Sequence, residues 1–218
     1  MYKVSRTFLD TLYMIRDTIF FVLAHNIRSL HNVGSIFRTS DVFAVDKLFL
    51  SGYTGHPPDS KLEKVSLGAD KTVPWEYSKS PVRLIKKLRL QYPKLTIVGL
   101  ENNLFTTFAP GVIPALSRSP DGWNSLPSSS GRNLDSHSTD ESGYRLKGGY
   151  DIDERLVLLP KFKAKFPLLL VLGEEVSGIP KNLLGLCDQF LEIPQFGTKE
   201  SLNVSVAFGI AACAIRNN

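Results

Sequence analysis

The chain reads as an α/β domain built on a mostly parallel sheet, and three observations carry that reading. Short apolar runs of strand length recur at residues 19–24, 47–51, 95–100, 168–172 and 189–193. Each is bounded by Gly, Pro, Asn or a charged residue, as strands buried on both faces usually are. Helical patterns lie between several of them, which is the signature of strand–helix–strand units.

Taken in order, the first run is Ile19-Phe20-Phe21-Val22-Leu23-Ala24. It falls far short of the roughly 20 apolar residues that a membrane span needs, so it is read as a buried strand. A helix is expected to open just after it, within residues 26–39. The clearest helix covers residues 80–90, where Ser80 is placed to cap, Pro81 suits the first helical position, and Val82, Ile85 and Leu88 share a face. Residues 79–94 hold six basic side chains and no acidic one. That stretch is a solvated outer face or an RNA-facing patch. The last segment, residues 203–215, is apolar and rich in small residues, which permits close packing on the sheet or on a second subunit. Residues 117–142 break the pattern, with nine serines in 26 residues. Such a segment buries too little apolar surface to offset its ordering entropy. Residues 1–218 are therefore expected to form a single domain interrupted by a disordered insertion at about 117–150.

With 218 residues, 43% hydrophobic and 22% charged content, the chain has the make-up of an ordinary globular protein. Its net charge of +5 and pI near 9.2 suit an anionic partner such as nucleic acid. Cys187 and Cys213 show no metal-ligand spacing and are expected as two reduced, buried thiols. The four histidines form no metal-ligand grouping, and no G-x-S-x-G elbow occurs, so metalloenzyme and serine-hydrolase chemistry are set aside. No metal and no membrane association are expected. The cytoplasm is the default location. Lys3, Arg6 and Arg16 near the N-terminus keep an organelle as the alternative, against which Asp10 and Asp17 argue.

Three constellations stand at expected strand ends, where open α/β sheets place their ligands. The first contains Asn32, Gly34 and Arg38. Gly34 is expected to allow tight backbone packing at the turn, Asn32 offers an amide that both donates and accepts, and Arg38 suits a phosphate. The second is Gly173-Glu174-Glu175-Val176-Ser177-Gly178. Its glycines are read as backbone that a ligand approaches closely, but it is neither G-x-G-x-x-G nor a P-loop. The third runs from Ile193-Pro194 to Ser201-Leu202-Asn203-Val204-Ser205-Val206-Ala207, with a helix expected to begin near Ser201 and to be capped by it. Any one of these alone reads as a loop and a helix cap.

Together, in this order and spacing, the three constellations resemble the motifs of the SpoU (TrmH-type) RNA 2′-O-methyltransferases of the SPOUT superfamily. Residues 67–76 are also similar to that family. The resemblance covers roughly residues 18–104 and 166–216. It implies a SPOUT-type fold with a C-terminal deep trefoil knot, a homodimer with its active site near the subunit interface, and S-adenosyl-L-methionine as cofactor. The implied reaction is methyl transfer to a ribose 2′-hydroxyl of RNA (tRNA or rRNA). By position, the resemblance assigns catalytic roles to Asn32, Arg38, Glu175, Ser201 and Asn203, and cofactor contacts to Gly173, Ile193 and Leu202. Arg38 is cast either as a helper in deprotonating the 2′-hydroxyl or as a phosphate positioner. The guanidinium pKa above about 12 favours the second. The family often carries Asp-Pro just before the motif-one region, where this chain has Ser29-Leu30. A non-catalytic RNA-binding or assembly protein on the same fold is the alternative.

Overall fold

The structure, a computed structural model, describes residues 18–101, 155–199 and 201–217. The insertion expected at 117–150 and the basic N-terminal segment lie outside these residues. Strands β1 (Phe20–His25), β2 (Lys47–Ser51), β3 (Trp75–Ser78), β4 (Thr96–Leu100), β5 (Leu156–Leu158), β6 (Leu168–Leu172) and β7 (Gln189–Glu192) form one sheet. Their order is β3-β2-β1-β6-β4-β7-β5 and every pairing is parallel. The register sets Ala24 opposite Leu50 and Leu172, and Leu100 opposite Leu172 and Leu191. All C-terminal strand ends therefore open on one edge of the sheet.

The helices are α1 (Leu30–Val42), α2 (Ser60–Ser66), α3 (Ala69–Thr72), α4 (Pro81–Gln91), α5 (Lys181–Leu184) and α6 (Val204–Arg216). Successive strand residues point to opposite faces, and both faces of the central strands are buried. Phe20, Val22 and Ala24 of β1 join a core with Val33, Ile36 and Phe37 of α1 and Phe208, Ala211, Ala212 and Ile215 of α6. On the other face, Phe21 meets the rings of Phe49 and Tyr92, the latter capping α4. Double burial explains why these strands appear in the sequence as unbroken apolar runs.

The expected strands and the 80–90 helix are present. Ser80 accepts from the Arg83 amide at 3.4 Å and Pro81 stands in the first turn. The buried face of α4 is Leu84, Ile85 and Leu88, with Val82 half-buried.

Three local expectations are corrected. Gly34 is not at a turn but inside α1, where an added Cβ would lie 2.7 Å from Val65 Cβ and 2.9 Å from the Leu62 carbonyl oxygen. Its lack of a side chain lets α1 and α2 approach. Helix α6 is capped not by Ser201 but by Asn203, whose Oδ1 accepts from the Ser205 amide at 2.9 Å. Cys187 is buried as expected, whereas Cys213 is exposed on α6.

The far end of α6 is fixed by Arg216, which donates to the Phe43 carbonyl at 2.8 Å and the Thr18 carbonyl at 3.0 Å. Thus α6 returns from the β7 end of the sheet to lie beside α1. Among the described residues no helix is long and apolar enough to cross a membrane.

Candidate active site

Three loops meet at the C-terminal edge of the sheet: residues 26–29 after β1, 173–180 after β6, and 193–199 with 201–203 after β7. The first passes into α1 through Ser29, whose hydroxyl accepts from the Asn32 amide at 3.3 Å. This is the place where Asp-Pro is common in the resembling family, and serine there still supplies an N-cap.

The cap aims Asn32 back at the sheet edge, where the side chain is only 7% exposed. Its Nδ2 donates to Glu175 Oε1 at 2.9 Å, and its Oδ1 accepts from Asn203 Nδ2 at 3.0 Å. One buried amide thus joins all three constellations, using both of its functions. Asn203 also caps α6 through Oδ1, so the same residue fixes the helix start and the site. The Arg28 amide adds a longer bond of 3.4 Å to Glu175 Oε2.

The loop after β6 folds back on itself through an antiparallel bridge between Glu174 and Gly178. An added Cβ on Gly173 would collide with the backbone of Gly178 and Ile179, and one on Gly178 with the Glu101 carboxylate. Glu101, at the end of β4, accepts from the Ile179 amide. The close approach read into these glycines is therefore made by the chain's own loop. The sequence cannot separate the two cases, because both demand glycine.

The remaining candidates sit around this centre. Ile193 is buried just beyond β7, and Leu202 is 37% exposed before α6. Ser201 is exposed and makes no hydrogen bond among the described residues. Arg38 is exposed on α1, and its side chain likewise makes no hydrogen bond or ion pair among the described residues. Six residues separate it from Asn32, which in an α-helix is about 9 Å along the axis and roughly 240° around it. The structure thus unites Asn32, Glu175 and Asn203, while Arg38 and Ser201 stand outside their hydrogen-bond chain.

A second cluster was not singled out from the sequence. Arg28 pairs with Glu174 at 2.7 Å, its Nε donates to the Tyr53 hydroxyl at 3.5 Å, and its guanidinium carbon lies 5.9 Å from that ring's centroid. The Ser177 and Tyr53 hydroxyls, followed by Arg28, hold the Glu174 carboxyl below its ordinary value. Nearby, His25 is buried at the end of β1 with Nδ1 2.8 Å from Ser51 Oγ. Burial lowers the pKa of its imidazole, against a smaller opposing pull from Glu174. These pairings link residues far apart in sequence.

Among the described residues no three His, Cys, Asp or Glu side chains are grouped to hold a metal ion. Phe196, Val176 and Leu202 are exposed apolar side chains on the loops after β6 and β7. They give the sheet edge an apolar rim beside its polar centre.

Residues 19–110 and 115–213 match the family described as the SpoU rRNA Methylase family. A tRNA (guanosine(18)-2′-O)-methyltransferase of Aquifex aeolicus is 43% identical over 44 residues, which is 20% of this chain and 21% of that protein. An AdoMet-bound rRNA methyltransferase structure from Sinorhizobium meliloti superposes with a TM-score of 0.63 at 19% identity, covering 93% of this chain and 59% of the other. The A. aeolicus TrmH/SpoU tRNA modifying enzyme gives 0.60 at 22% identity, covering 96% and 82%. At these identities the superpositions establish a shared fold. The chain matches about a fifth of the length of the curated relative and spans under two thirds of the S. meliloti structure.

Proposed function

Because this chain belongs to the SpoU rRNA Methylase family, we propose that it transfers the methyl group of S-adenosylmethionine to a ribose 2′-hydroxyl of a tRNA or rRNA. The observation that carries this reading is the chain Glu175–Asn32–Asn203. It ties the three family motifs into one preorganised polar centre at the C-terminal sheet edge, where α/β sheets bind ligands.

The residues present fit the cofactor. An adenosine needs an apolar surface with backbone polar groups at its edge, and Ile193, Leu202, Phe196 and Val176 supply the apolar part. Gly173 lets the loop after β6 fold back against the backbone of Gly178 and Ile179. When bound, S-adenosylmethionine supplies a methyl group activated by its sulfonium. The protein's task is then to hold a ribose 2′-oxygen in line with that methyl while the hydroxyl proton leaves to solvent water.

Asn32 is held by both neighbours and keeps the loops after β1, β6 and β7 in register. Arg38 carries a positive charge on an exposed face, unpaired among the described residues, and suits the RNA phosphate next to the target ribose. It points away from Asn32 within one subunit, which supports a homodimer in which Arg38 serves a site completed by the second copy. Two exposed rows agree with this. His31, Arg38 and Val42 line α1, and Val206, Ile210 and Cys213 line α6, with Val42 74% and Val206 50% exposed. Gly209, with no atom within 4 Å of an added Cβ, leaves room there for a partner helix. A deep trefoil knot is part of the same proposal. Its support is the placement of β6 between β1 and β4 and the return of α6 to α1.

The experiment is calorimetric titration with S-adenosylmethionine beside S-adenosylhomocysteine, on wild type and on Leu202→Asp. The reading expects saturable binding of both by the wild type, weakened at least tenfold in the variant. A folded dimer that binds neither would replace it by a non-catalytic RNA-binding role.

A further inference from the structure

The loop between β2 and α2 is stitched to the loop after β1 more tightly than a connection requires. The Asn26 amide donates to the Ser51 carbonyl at 3.1 Å, and the Tyr53 amide donates to Asn26 Oδ1 at 3.2 Å. The Ile27 amide donates to Thr54 Oγ1 at 3.0 Å, and the Thr54 hydroxyl donates to the Ala24 carbonyl at 3.2 Å. Asn26 adopts φ +59° to make these contacts, and its side chain occupies the space that a Cβ on Gly52 would need.

What this stitching presents to solvent is aromatic. Tyr53 is 51% exposed, yet its backbone is pinned by Asn26 and its hydroxyl lies against Arg28. One strand over, the Tyr77 hydroxyl donates to the Gly52 carbonyl at 2.6 Å while its ring stays 36% exposed. The exposed His56 ring lies 5.1 Å from Tyr77 and stacks on Trp75 at 5.8 Å. Exposed aromatic rings fixed in place are not needed for the core, since Trp75 already seals it against Phe37.

The charge pattern narrows the ligand. Arg28 lies 5.9 Å from the Tyr53 ring centroid, and Glu174 already pairs with it at 2.7 Å. A paired guanidinium is poorly suited to a phosphate but keeps its flat face for stacking. Flat faces beside exposed tyrosine and histidine rings suit unpaired nucleobases, which proteins commonly bind in this way. The track begins at Arg28, whose amide contacts Glu175, and so it adjoins the Glu175–Asn32–Asn203 centre.

We propose that Arg28 with Tyr53, and His56 with Tyr77, form a stacking track for unpaired bases flanking the target nucleotide, so that the substrate is a single-stranded segment such as a loop. This rests on the methyltransferase reading and specifies which part of the RNA is held. The track supplies substrate contact through shape and stacking, leaving phosphate contacts to cations elsewhere on the surface.

The test uses the full chain, saturating S-adenosylmethionine and a fluorescein-labelled single-stranded RNA decamer of adenosines and uridines, beside a 12-base-pair RNA duplex. Fluorescence anisotropy is expected to show tighter binding of the decamer than of the duplex. Tyr53→Ala and His56→Ala should each weaken decamer binding by about tenfold, and Tyr53→Trp should restore it. Because no phosphate contact is lost, the salt dependence of binding should keep its slope in these variants. Lys86→Ala, on the exposed face of α4, should leave the preference for single strands unchanged. Calorimetry should give all variants the cofactor affinity of the wild type. Alanine variants that bind the decamer like the wild type would overturn the track, as would equal affinity for the duplex, or cofactor binding without decamer binding. Failure of the wild type to bind the cofactor would instead overturn the reading beneath it.

Discussion

Removing the Asn32 amide is the sharpest perturbation of the site. In Asn32→Ala, Glu175 loses a donor at 2.9 Å and Asn203 loses an acceptor at 3.0 Å. A neutral hydrogen bond contributes about 1 kcal/mol net, and a bond to a carboxylate about 1.5–3 kcal/mol. Glu175 is exposed and regains water, so its share falls toward the lower figure and the total loss is about 2 kcal/mol. Asn203→Ala removes the same Asn32–Asn203 bond together with the α6 cap, and a lost cap costs about 1 kcal/mol. The shared bond is then counted in both single variants, and the double variant should be less destabilised than their sum by about 1 kcal/mol. Urea unfolding of the four proteins measures this coupling. Additivity to within 0.3 kcal/mol would refute a bonded bridge. The charge-reversing arm is independent. Asn32→Asp sets two carboxylates against each other and should be worse than Asn32→Ala, and adding Glu175→Gln should recover much of the loss by restoring an amide donor.

Gly34→Ala gains helix propensity of about 1 kcal/mol, but its Cβ would press on Val65 and the Leu62 carbonyl. A net loss of about 1–2 kcal/mol is expected in denaturant melts from such overpacking, and a gain would show that α1 and α2 part easily. Burial depresses the His25 pKa from its ordinary 6.5, so the unfolded chain takes up the proton first as pH falls. Its contribution to stability is therefore complete above pH 6.5 and is lost as pH drops through the lower folded value. The stability difference between wild type and His25→Asn should be flat above pH 6.5 and shrink below it, and a difference that grew instead would contradict the burial argument. The Cys187 thiol is pushed up to about 12, first by burial, while Cys213 is exposed on α6. Native alkylation at pH 8 should label Cys213 alone in dilute protein and neither thiol once the proposed dimer covers α6. Labelling that ignores concentration across the measured dimer dissociation range would count against that interface.

Much of this architecture can be read before any coordinates, because central strands buried on both faces must be continuously apolar. Ser80-Pro81 declared its helix for an equally local reason. β3 and β5 gave no such signal: Trp75–Ser78 lies at one sheet edge and is half exposed, and Leu156–Leu158 is only three residues long at the other. The strand order was hidden too, since the insertion of β6 between β1 and β4 is a long-range choice. In the site, Asn32 was legible as a two-sided amide but its partners were not, as they lie 143 and 171 residues away. Ser201 and Asn203 are both good caps by type, and only geometry chooses Asn203. Gly173 and Gly178 announced a close approach without saying by what. Arg28, Tyr53 and Glu174 meet only through folding and carry no motif of their own.

Methyl transfer to ribose at the Asn32 centre can be tested by a single product analysis. The purified protein is incubated with methyl-labelled S-adenosylmethionine and total small and ribosomal RNA, beside Arg38→Ala. The RNA is then hydrolysed in alkali. A 2′-O-methyl group blocks attack on the neighbouring phosphodiester, so label is expected in alkali-resistant dinucleotides, absent with Arg38→Ala. Label released wholly as mononucleotides would place the methyl on a base and overturn the proposed ribose methylation.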